Sequence, residues 1–100
     1  MDDVVIKLID EFKELCKPEQ INDNSITALI LSCVKKMDDV AIKLIDEFGK
    51  LCKPEQIDYN GNTVLILSCV KKMNNVAIKL IDEFGEYVNP NKLIFMVILR

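Results

Sequence analysis

A single unit of 36 residues is written a little more than two and a half times in this chain. Met1, Met37 and Met73 open matching blocks, MDDVVIKLIDEF, MDDVAIKLIDEF and MNNVAIKLIDEF. Residues 1–20 differ from 37–56 at three positions only (Val5/Ala41, Lys13/Gly49 and Glu14/Lys50), and 21–56 match 57–92 at 23 of 36. A fixed period of this size is the signature of a solenoid, in which each unit is too small to bury its own apolar face and must stack on its neighbours. The expected organisation is a partial repeat at 1–20, complete repeats at 21–56 and 57–92, and an apolar tail at 93–100.

The cleanest copy begins at Ile57. Asp58-Tyr59-Asn60-Gly61-Asn62-Thr63 is a cluster of turn formers, with Gly61 available for positive φ. Val64-Leu-Ile-Leu-Ser-Cys-Val70 is apolar on every side, which by length alone fits a buried strand as well as a short inner helix covered on several faces; the small Ser68 and Cys69 favour the helix, with Thr63 as its N-cap. After Met73, Asn74 or Asn75 is placed to cap a second helix. In that helix Val76, Ala77, Leu80, Ile81 and Phe84 form one apolar stripe at helical period, opposite Lys79, Asp82 and Glu83. Gly85 is placed to end it in the left-handed conformation, and 86–92 returns the chain. The preceding copy predicts a turn at 22–26, an inner helix over 27–36 and an outer helix over 38–48 ending at Gly49.

This order of turn, inner helix, tight corner, amphipathic helix and Gly stop resembles the ankyrin repeat. The resemblance rests on Asp58, Gly61 and Thr63 in a D-x-x-G-x-T turn, on Thr63-Val64-Leu65-Ile66 in place of T-P-L-H, and on Ser68-Cys69 in place of the small A-A pair. Ala77-x-x-Leu80-Ile81 keeps the spacing of the outer helix. The chain departs from the family in lacking the inner-helix Pro (Ala28, Val64), in carrying Ile30 and Ile66 where the family has His, and in a period three residues longer than usual. Units of this kind, rich in L-I-L and K-L-I-D, look like arrays of large DNA viruses of amoebae or of protists. The resemblance implies an all-α solenoid of helix–turn–helix units joined by turn-rich loops. It also implies an intracellular, cytoplasmic setting (host cytoplasm if viral) and binding of a protein partner through turn tips and exposed inner-helix positions. Carried over by position, those are Asp23, Asn24, Ile26, Val34 and Lys35 in one unit, and Tyr59, Asn60, Asn62, Val70 and Lys71 in the next.

Composition narrows the remaining classes. The chain has no His, no Gly-rich phosphate loop and no nucleophile beside a base, so no enzymatic role or cofactor is expected. The recurring pairs Asp10-Glu11, Asp46-Glu47 and Asp82-Glu83 read as solvated helix charges. A net charge of −3 with interspersed signs gives no reason to expect nucleic acid. Cys16 and Cys52, and Cys33 and Cys69, are repeat equivalents, so duplication explains their spacing; they read as small core residues, and no metal site is expected. Asp2 and Asp3 occupy the place of a basic signal-peptide region, and the longest apolar run, 93–99, has seven residues where a membrane span needs about 20.

Both ends are apolar. Val4, Leu8, Ile9 and Phe12 have no inner helix before them in the sequence, and 93–100 reads LIFMVILR where a turn is due. Open-ended self-association through these ends is one expectation; a fragment or degenerate remnant of a longer array is the other.

Overall fold

The computed structural model describes residues 2–85, and all regular structure among them is helical. The element order is α1 (Asp2–Phe12), α2 (Ala28–Val34), α3 (Asp38–Phe48), α4 (Val64–Val70) and α5 (Asn74–Phe84), with short 3₁₀ turns at Lys13–Leu15 and Gly49–Cys52. The expected return loop at 86–92 and the apolar run at 93–99 lie outside the described residues. The short helices α2 and α4 pack side by side, while the longer α1, α3 and α5 pack in the order α1–α3–α5. Each short helix also packs on the long one that follows it, α2 on α3 and α4 on α5. The result is two helical layers, 41 × 26 × 24 Å overall.

The core lies between the layers. Leu29, Ile30 and Cys33 from α2 and Val64 and Leu65 from α4 meet Val40, Leu44, Ile45, Val76 and Leu80 from the longer helices. Ser32 and Ser68, both buried, donate to the carbonyls of Leu29 and Leu65 in the preceding turn, so small residues at the layer contact leave no hydroxyl unpaired. The short helices are not covered all round as expected: Leu31, Val34 and Val70 are exposed. Seven residues make only two turns, and each helix has neighbours on two or three sides only.

The N-caps fall as expected at Thr27 and Thr63, whose hydroxyls accept the N–H groups of Ile30 and Ile66. The corners between helices differ from expectation. Each short helix ends at Val34 or Val70 with Lys35 or Lys71 as C-cap, and the next residue, Lys36 (φ 56°) or Lys72 (φ 60°), takes the left-handed conformation. Lys36 N–H donates to Cys33 O and Met37 N–H to Ser32 O, the paired bonds of a Schellman cap; Lys72 and Met73 repeat them on Cys69 O and Ser68 O. The long helices therefore start straight from the corner. Met37 and Met73 are their N-caps without any side-chain cap bond, and Asn74 and Asn75 lie inside the first turn instead of capping it. Gly85 is right-handed (φ −52°, ψ −30°), not left-handed, and Gly49 (φ 52°, ψ −127°) ends α3 in a conformation open essentially to glycine alone.

Candidate functional site

The two turn tips are built alike from different side chains. In the first, Asn22 Oδ1 accepts the N–H groups of Asn24 (2.9 Å) and Ile26 (3.0 Å), while the Ser25 N–H donates to Asn22 O. In the second, Asp58 Oδ1 accepts those of Asn60 and Asn62, both at 2.9 Å, and the Gly61 N–H donates to Asp58 O. One side-chain oxygen thus replaces two absent backbone partners and holds the loop in a single shape. Ser25 adopts φ 62° where its equivalent Gly61 has φ 80°, so the backbone is copied although the glycine is not.

These loops lead directly into the N-caps of α2 and α4, which are neighbours. Asp23, Asn24, Tyr59 and Asn60 are exposed at the tips, Tyr59 to 73%. Ile26 and Asn62 are half-buried at the loop bases, and Ile26 packs against the core. Val34, Lys35, Val70 and Lys71 are exposed at the other end of the short helices, about 10 Å away along the axis. The expected binding residues therefore form two strips, one at each end of the short-helix layer. Sequence reasoning did not single out Asn22, whose amide does the work of Asp58; the signal was its place 36 residues earlier.

The acidic pairs on the long helices do more than face solvent. Lys43 pairs with Asp10 on α1, and Lys79 with Asp46 on α3, the same contact one unit apart. Lys43 also reaches Glu47 (3.3 Å), which binds Lys13 at 3.0 Å. The Lys13 and Lys43 ammonium groups hold the Glu47 carboxyl below its usual range, and the partner carboxylates raise Lys43 and Lys79. All four cysteines are free. Burial pushes the Cys33 and Cys52 thiols up to about 12 and raises Cys69 less; the Cys52 thiol donates to Leu44 O. Among the described residues no group of three or more His, Cys, Asp or Glu could hold a metal ion, and no helix is long and apolar enough to cross a membrane.

No family model matches this chain, and neither a curated protein nor a solved structure shows a significant match.

Proposed function

We propose that this chain is a divergent ankyrin-type repeat module whose role is to bind another protein, without catalysis, inside a cell. The tips are its recognition surface. The observation that carries this reading is the contrast between the tips and the frame that holds them. From the N-cap threonine to the glycine after the long helix the two units differ at three positions only (Ala28/Val64, Asp38/Asn74 and Asp39/Asn75), whereas Asp23/Tyr59, Ser25/Gly61 and Ile26/Asn62 all differ within one short loop of shared geometry. A fixed frame presenting different side chains is what partner selection requires, because loops carry specificity and packed helices only hold them in place. Tyr59 is the largest exposed side chain at a tip and combines apolar area with a hydroxyl, the profile of an interface anchor.

Affinity capture with the intact chain tests this. A protein retained by the wild type should be lost, by roughly tenfold or more in affinity, with Tyr59→Ala and with Asn60→Ala, while circular dichroism stays helical. Retention indifferent to both substitutions would overturn the assignment.

A further inference from the structure

The outer helix α1 shows solvent the face that α3 and α5 bury. Leu8 is 51% exposed, whereas its equivalents Leu44 and Leu80 are 5% and 1% exposed. Beside this face lies a groove of about 370 Å³ between α1 and α2, walled by Val5, Leu8, Ala28, Leu31 and Met37 among others. Moved on by 36 residues, the same walls are Ala41, Leu44, Val64, Leu67 and Met73. There α2 itself fills the space, packed on α3 and α4. The groove is therefore the empty seat of a helix of the α2 kind.

The opposite end shows the complementary face. Ile9 is covered by α3 and Ile45 by α5, leaving Ile45 3% exposed, while their equivalent Ile81 is 47% exposed. The contact of one long helix with the next is heterologous, so its two halves stand uncovered at opposite ends of the described residues. The ion pairs give the register: Lys43 to Asp10 and Lys79 to Asp46 continue, one unit on, as Lys7 of one copy to Asp82 of another.

An apolar segment of matching length is written in the same chain. Residues 93–99, LIFMVIL, match α2 (ALILSCV) and α4 (VLILSCV) in length and apolar character. Arg100 follows them as Lys35 and Lys71 follow the short helices, and Asn91 precedes them by two positions as Asn62 precedes α4. The eight residues 85–92 reach up to about 26 Å when extended.

We infer that copies of this chain stack head to tail, α1 of one copy against α5 of the copy before it, with residues 93–99 of that earlier copy seated in the α1–α2 groove. One copy supplies the apolar segment and the next the long helix of a unit completed only across the interface. This rests on the stacked-repeat reading above, but not on partner binding at the tips.

Two single-end variants test it by sedimentation of the full chain. Leu8→Lys blocks the groove and leaves residues 93–99 intact. The double variant Ile94→Lys, Ile98→Lys blocks the other end, at the positions that fall on the buried Leu29 and Cys33 when 93–99 is laid on the seven residues of α2. Wild type should form a concentration-dependent series above 11.4 kDa at tens of micromolar, and each variant alone should remain monomeric. Their equimolar mixture should stop at a one-to-one dimer, since it holds one working interface and two blocked ends. Cys16 lines the groove, so its alkylation should slow by roughly tenfold in assembled wild type relative to Leu8→Lys. A sharp wild-type monomer, growth that survives Leu8→Lys, or a mixture that stays monomeric would overturn the inference. An added internal repeat unit separates this from the stacked-repeat reading, because it gains stability wherever units stack, whether or not the ends associate.

Discussion

At the scale of single residues, strain sits where the repeat copies a backbone without copying its glycine. Ser25 holds φ 62°, and a left-handed conformation costs an L-residue about 1–2 kcal/mol, partly offset by the greater chain entropy that glycine loses. Ser25→Gly should therefore stabilise the fold by about 0.5–1 kcal/mol in urea denaturation. Gly61→Ser should destabilise it by a similar amount; no atom lies within 4 Å of a Cβ added at Gly61, so the effect comes from backbone strain alone. This conformation was legible in the sequence because Gly61 stood at the equivalent place. The left-handed Lys36 and Lys72 were not, since lysine carries no signal for that conformation and the cap arises from the three-residue corner that must join two packed helices. The buried thiols give a pH prediction. Cys33 has its pKa raised from 9.0 to about 12 by burial, so its contribution is fully present below pH 9 and is lost as pH climbs toward 12, where the unfolded chain ionises first. Cys33→Ala should cost on the order of 1 kcal/mol at pH 7. That deficit should narrow when both proteins are unfolded at pH 10.5, and a constant deficit would show that the thiol is not held neutral by the fold.

At the scale of elements, identical sequences have unequal environments. The helices α1 and α3 differ at one position in eleven, yet Leu8 is half-exposed and Leu44 is buried between layers. Leu44→Ala should cost about 2–5 kcal/mol through lost burial and a residual cavity, whereas Leu8→Ala in the monomer should stay within about 1 kcal/mol. Equal losses would mean that α1 is covered by something in solution. For the same reason α1 should open first, and amide exchange over Asp2–Phe12 should be faster than over Val64–Val70 in dilute protein. Element positions were largely readable beforehand: α3 and α5 follow their apolar stripes, and the short helices follow Thr27 and Thr63. What the sequence could not convey was the incomplete cover of Leu31, Val34 and Val70, because an apolar run states which residues favour burial and not how many neighbours are present to bury them. The candidate tips were readable as turns, but the strips formed by their residues needed the side-by-side placement of α2 and α4.

At the scale of the whole molecule, the same three contacts recur after a shift of 36 residues: short helix on long helix, long helix on long helix, and a Lys–Asp bridge between successive long helices. The bridges are exposed and add little stability singly, so the order of the stack depends on the apolar contacts between units. If units stack by nearest-neighbour contacts, stability is a sum of a weak term for each unit and a favourable term for each junction. Inserting a further copy of residues 21–56 between Gln56 and Ile57 adds one unit and one junction without altering either end. The denaturation midpoint should rise, and the dependence of stability on denaturant should steepen in proportion to the surface newly buried. The transition should stay single, because the inserted helices meet the same neighbours that α2 and α3 meet now. An unchanged midpoint, or two separate transitions, would mean that the units fold independently and that their repetition in sequence is not a repetition in space.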